Sequence, residues 1–141
     1  NLSGGEKRKV ALAGILSMKP EVIILDEPTA GLDPAGRRSL MGRIGKMHKD
    51  ENLTVILVTH NMEDVSHLAE KIFVLSHGEV VLQGAPAEIF KSAAVLKEMG
   101  LGLPPLTALL QKLKEKKQKV RTDLFSVEEA AMEILYHFKK G

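Results

Sequence analysis

A chain of 141 residues, 44% hydrophobic and 27% charged, is long enough for one domain with a packed core, and its composition is that of an ordinary globular protein. A formal net charge of +2 is too small to point to nucleic acid, and the lack of cysteine excludes a disulfide framework and a thiolate metal site, which fits a reducing compartment. The longest apolar runs, near Val22 to Leu25 and Val55 to Val58, fall far short of the roughly 20 residues that cross a bilayer, so any membrane role runs through a partner.

Ser3 and Glu6 have the spacing of a capping box, and the stretch to Met18 places apolar residues at Val10, Ala11, Ile15 and Met18, which predicts a helix whose start presents Ser3, Gly4 and Gly5. Lys19-Pro20 stops it. Val22 to Leu25 then reads as a strand covered on both faces, and it ends in Asp26-Glu27. Asp33-Pro34 has the form of an N-cap with proline at the first helical position, opening a helix to Lys49 that Gly36, Gly42 and Gly45 weaken. Leu53 to Thr59 is a second apolar strand, closed by His60. Alternating buried strands and helices imply a parallel sheet with helices on its faces.

After a short helix from Met62 to Glu70, Ile72 to Leu75 and Val80 to Leu82 flank Ser76-His77-Gly78-Glu79, the pattern of a hairpin with glycine at the turn. Pro86 begins a helix through Phe90 and Lys91. From about Ala94 the character changes: Gly100, Gly102, Pro104 and Pro105 mark a linker into two helical segments, Leu106 to about Lys119 and Ser126 to Phe138. The expected organisation is an α/β domain part over residues 1–93 and a helical extension over 94–141, an interaction or dimerisation element.

Ligands of doubly wound sheets sit at the carboxyl ends of the strands, where Asp26, Glu27 and His60 all arrive. Successive strand residues point to opposite sides, so Asp26 is assigned to a metal ion and Glu27 to an attacking water. An imidazole at His60 can hold that water or a phosphate. Gly4 and Gly5 permit close backbone approach at the positive end of a helix, which suits an anion. His60, Glu63 and His67 have a spacing that mimics a metal site, but His60 ends a strand and does not lie on the helix that follows. No Gly-x-x-x-x-Gly-Lys-Ser/Thr phosphate loop occurs. Gly31 to Arg38 has its glycine spacing, but arginine stands where lysine belongs. The chain is therefore read as starting in the middle of a larger arrangement.

The order of these segments resembles the ATP-binding cassette ATPases, part of the P-loop NTPase class, over about residues 1 to 91. Leu2 to Glu6 is similar to the family's signature motif, Val22 to Glu27 to Walker B with its catalytic glutamate, Ala30 to Asp33 to the D-loop, and His60 to the switch histidine. Two departures stand out: Glu6 where many members carry glutamine, and Ala85 where threonine is frequent before Pro86. The resemblance implies ATP and Mg2+ as cofactors and a head-to-tail dimer with a second ATPase subunit, identical or related. Ser3, Gly4, Gly5 and Glu6 would then face the partner's ATP, Asp26, Glu27 and His60 the chain's own, and Asp33 would couple the two sites. Without the upstream phosphate loop, the 141 residues alone are expected neither to bind ATP tightly nor to hydrolyse it.

Leu-Ser-Gly-Gly-Glu is also similar to the signature of chromosome-maintenance and repair ATPases, and a noncatalytic assembly fragment is a third reading. Pro28 to Asp33 and the hairpin instead resemble transporter subunits, and Gly100 to Pro105 with Ser126 to Ala130 resembles the tail of energy-coupling-factor ATPases, including the cobalt-import type. That resemblance implies a prokaryotic complex on the cytoplasmic face of the membrane, with integral membrane subunits and no nucleic acid, importing a metal ion or a vitamin. The basic run Lys112 to Arg121 reads first as a solvated helix face.

Overall fold

The computed structural model describes residues 4–116 and 118–138; Ser3 therefore lies outside the described residues. By its contacts the chain divides into two compact units, Asn1–His60 and Asn61–Gly141.

In the first unit, α1 (Gly4–Leu16) is followed by β1 (Val22–Asp26), α2 (Pro34–Glu51) and β2 (Thr54–Val58). The two strands pair in parallel, as the alternation of elements predicts, with Val22 opposite Thr54 and Asp26 opposite Val58. The ladder is extended at both ends, where Thr54 N–H donates to Glu21 O and Glu27 N–H to Val58 O, each at 2.9 Å. α2 packs against β2 and buries Leu40, Met41 and Ile44, and Ile23 and Leu53 are buried as well. At its end Asn52 adopts the left-handed conformation (φ 55°), and His48 Nδ1 lies 2.8 Å from Leu53 O, tying the helix end to the start of β2.

The expected burial of both strand faces is not found among the described residues. Ile23 is 5% exposed, but its neighbours Val22 and Ile24 are 52% and 69% exposed, and Ile56 and Val58 are exposed too. The reason is the layer count: α2 shields one parity of positions, and no second layer of the described residues covers the other.

The second unit runs α3 (Met62–Leu68), β3 (Ile72–Ser76), β4 (Glu79–Gly84), α4 (Pro86–Ile89), α5 (Ala93–Glu98), α6 (Pro105–Glu115) and α7 (Val127–Phe138). β3 and β4 form the expected hairpin, pairing Ser76 with Glu79 across a two-residue turn at His77 (φ 51°) and Gly78 (φ 82°). Two left-handed residues give the turn whose twist matches that of the strands. A register shift between Val74 and Leu75 makes Val81 the extra residue of a bulge. At α4, Ala85 has no side-chain acceptor, yet Glu88 Oε2 accepts the Ala85 N–H at 3.1 Å, so half of a capping box survives.

α5 was not expected; it directly precedes the residues, Gly100 to Pro105, read as a linker. Its end carries a Schellman pattern: Gly100 (φ 74°) donates its N–H to Lys97 O at 3.0 Å, and Leu101 donates to Leu96 O at 2.9 Å. The helix exists because Leu96 is fully buried, in one cluster with Val65, Ile72, Val74, Ile89 and Phe90. Burying side chains such as Phe90 and Leu96 contributes roughly 1.5–3 kcal/mol each. Leu101, Leu103 and Phe125 pack on the same cluster, and the Phe125 ring lies 5.6 Å from that of Phe90. Hairpin and tail thus share a core. α6 ends at Glu115 rather than near Lys119, and Ser126 caps α7 as expected, its Oγ accepting the Glu129 N–H at 3.2 Å. Leu110, Leu124 and Ala130 join these two helices in a smaller cluster.

Thr107, in the first turn of α6, is 1% exposed, and its hydroxyl has no hydrogen-bond partner among the described residues. An orphaned buried hydroxyl forfeits its water hydrogen bonds for nothing, a loss of about 1–3 kcal/mol. Thr107→Val, nearly isosteric, is expected to stabilise the chain by about 1 kcal/mol in urea unfolding, on the same scale. A loss of stability would show that the hydroxyl is satisfied.

Candidate functional site

β1 stops at Asp26, and the next residue leaves the strand. Glu27 has φ 44°, a left-handed conformation that disfavours a residue with a side chain by about 1–2 kcal/mol. Two contacts hold it there: its N–H bonds Val58 O, and its side chain meets His60. A tight path follows, with Ala30 N–H donating to Glu27 O and Leu32 N–H to Thr29 O, both at 3.1 Å, while Thr29 is buried and Gly31 takes φ 74°. The alternation argument that sends Asp26 and Glu27 to opposite sides therefore does not apply to Glu27, whose direction is set by a turn.

The centre of the site is the pair Glu27 and His60. Glu27 Oε1 accepts the His60 backbone N–H at 3.0 Å and lies 2.7 Å from His60 Nδ1. A carboxylate only accepts, so Nδ1 carries the proton in this pair and Nε2 is left for another group. The Glu27 side chain is 34% exposed and that of His60 80%, so the pair is open to an incoming ligand. Asp26, opposite Val58 in the ladder, is exposed beside it. An exposed carboxylate is a hard oxygen donor of the kind Mg2+ takes together with phosphate oxygens.

Asp33 takes up the local role read from Asp33-Pro34. It caps α2, its Oδ1 accepting the Gly36 N–H at 2.9 Å. Gly36, read from sequence only as a weak point of the helix, supplies the N–H that the cap accepts, and a Cβ there would fall 2.6 Å from Asp33 Oδ1, the end of a side chain that can turn aside. Gly4 and Gly5 fall in the first turn of α1, and Glu6 follows as its first acidic residue, where the helix dipole favours negative charge. His60 precedes α3, so it shares no helix with Glu63 and His67.

The geometry can be compared with known proteins. An energy-coupling factor transporter ATP-binding protein, EcfA2 of Clostridium tetani (strain Massachusetts / E88), is 47% identical over 97% of this chain and 48% of its own length. The protein of the same name from Clostridioides difficile (strain 630) is 49% identical over 95% of this chain and 47% of its own. Among solved structures, cbiO1 from Clostridium perfringens, part of the ABC transporter complex cbiONQ, matches with TM-score 0.60 at 43% identity, covering 78% of this chain and 44% of that one. Over nearly its whole length the chain is similar to ATP-binding cassette ATPases. It also matches the ATP-binding cassette MJ0796, solved as a dimer bound to ADP and Pi, with TM-score 0.57 at 33% identity over 60% of this chain and 36% of that one. A family model described as "AAA domain, putative AbiEii toxin, Type IV TA system" matches residues 1–65. The chain spans about half the length of the curated relatives it matches.

The cap at Asp33 predicts a contrast. Asp33→Asn, an equally good N-cap, is expected to leave stability unchanged, whereas Asp33→Ala loses about 1 kcal/mol. Urea unfolding of the two variants measures this, and equal loss in both would show that charge rather than capping matters.

Proposed function

We propose that this chain is the catalytic part of an ATP-hydrolysing subunit of a membrane importer, and the observation that carries the reading is the Glu27 and His60 pair at the strand ends. Glu27 Oε1 is occupied by His60, which leaves the second oxygen to take a proton from an attacking water. A positioned base of this kind contributes about 10²–10⁴-fold to rate. As an imidazolium, in which both ring nitrogens donate, His60 would be held through Nδ1–H by Glu27 and would direct an Nε2–H at the terminal phosphate. Asp26 would hold Mg2+, which when bound neutralises phosphate charge.

The start of α1, with Gly4, Gly5 and the preceding Ser3, would offer backbone N–H groups to ATP held by a second subunit in a head-to-tail dimer, identical or related, with Glu6 beside them. Asp33 would then couple the two sites. Integral membrane subunits receive the work on the cytoplasmic face of a prokaryotic membrane, and a metal ion such as cobalt or a vitamin is the cargo. Supporting this reading, the relatives are named energy-coupling factor transporter ATP-binding proteins, and no helix among the described residues is long and apolar enough to cross a membrane. Residues 94–141 serve as an interaction element.

Phosphate release tests the reading. The 141 residues alone are expected to show no ATP turnover, because no Gly-x-x-x-x-Gly-Lys-Ser/Thr loop occurs in them. Joined to a segment bearing such a loop, the polypeptide is expected to hydrolyse ATP only with Mg2+ present, and Glu27→Gln to lower turnover about 100-fold or more while ATP still binds. Turnover by the 141 residues alone that disappears with Glu27→Gln would remove the need for the added loop. Full activity of the joined Glu27→Gln variant would sink the assignment of the base.

A further inference from the structure

Glu27 is held in a conformation that its neighbours along the chain oppose. Its φ of 44° is left-handed, and Pro28 follows it, which pushes a preceding residue toward extended backbone. The contacts with Val58 O and His60 fix the strand side of Glu27 and the end of its side chain. They leave its carbonyl side to the loop that runs on to Asp33.

That loop is built of two overlapping turns. Glu27 O accepts the Ala30 N–H and Thr29 O the Leu32 N–H, both at 3.1 Å. Pro28 stands at the second position of the first turn, where its fixed φ is favoured, and Gly31 takes φ 74° at the third position of the second, where a type II turn requires a positive φ. Thr29 belongs to both turns. It is 2% exposed, whereas Asp26, Gly31 and Asp33 are exposed and Glu27, Pro28, Ala30 and Leu32 are half-buried. Among the described residues of the first unit it is also the one buried polar side chain. Unlike Thr107, it leaves no buried side-chain atom without a partner. A buried hydroxyl that keeps its partner fixes the backbone that carries it.

We propose that Thr29 is a positioning residue for hydrolysis: its buried side chain anchors the turn that keeps Glu27 left-handed with its carboxylate on His60. The proposal rests on the reading of Glu27 as the base, and Thr29 acts through Glu27 rather than on substrate. Without the anchor, Glu27 relaxes toward the extended backbone that Pro28 favours, and its carboxylate leaves His60. A misplacement of about 1 Å can slow a reaction about 100-fold.

Steady-state ATP turnover of the polypeptide joined to a phosphate-loop segment, counted per folded molecule by circular dichroism, tests this with two variants. Thr29→Val keeps the shape and loses the hydroxyl; Thr29→Ser keeps the hydroxyl. Thr29→Val is expected to lower kcat about tenfold or more with KM for ATP unchanged, and Thr29→Ser to retain most of the rate. In a Glu27→Gln background, Thr29→Val is expected to add no further loss, because the group it positions is gone. A second arm needs no hydrolysis and so separates failure here from failure of the base assignment. Nitrogen NMR of the 141 residues at mildly alkaline pH is expected to show a protonated Nδ1 on His60 that Thr29→Val abolishes and Thr29→Ser keeps. A Thr29→Val loss undiminished in the Glu27→Gln background, a rise in KM with kcat unchanged, an equal loss in Thr29→Ser, or a His60 signal indifferent to Thr29→Val would each overturn the proposal.

Discussion

The chemistry of this chain depends on the parallel ladder between β1 and β2. Glu27 and His60 lie 33 residues apart in sequence and touch only because Asp26 is registered on Val58 and the next N–H still finds a strand carbonyl. A slip of one residue would move one partner by about 3.3 Å along the sheet and exchange its faces. At 2.7 Å between Oε1 and Nδ1, the pair has no slack for that displacement. The left-handed backbone at Glu27 belongs to the same constraint, because the ladder and the histidine together hold a conformation that an isolated glutamate would leave.

Other features secure the register at the far end and around the turn. His48 reaches the carbonyl of Leu53, where β2 begins, and Thr54 donates to Glu21. Asp33 caps α2 directly after the turn that leaves Glu27, so the helix packing on β2 starts at a defined point. In the second unit the organising contact is the buried cluster around Phe90 and Leu96, which joins hairpin and tail. Gln111 of α6 donates to the Phe90 carbonyl at 3.0 Å, which ties that helix to the same core.

Much of this was legible in the residues because the signals are local. Proline after Asp33, the Ser126 to Glu129 spacing and His-Gly between two apolar runs each specify a backbone conformation by short-range hydrogen bonding or sterics, and each appears as read. The apolar runs identified both strands of the parallel pair. Less legible were features whose cause lies elsewhere in the chain. α5 was passed over because the glycines and prolines just after it read as a linker, and the burial of Leu96 in one cluster with Val74 and Phe90 makes a six-residue helix worth forming, since short helices are marginal alone.

By itself the sequence determined the family resemblance and the identity of the chemical groups: two adjacent carboxylates after one apolar run, a histidine after the next, and glycines at a helix start. Those facts depend on residue type and order, which no folding changes. Only the tertiary structure decided that one Glu27 oxygen takes both donors of His60, that Glu27 leaves the strand in a left-handed turn, and that Thr29 is the buried residue of the loop that follows. Each of these depends on which distant segment occupies the neighbouring space, and spacing along the chain does not carry that information.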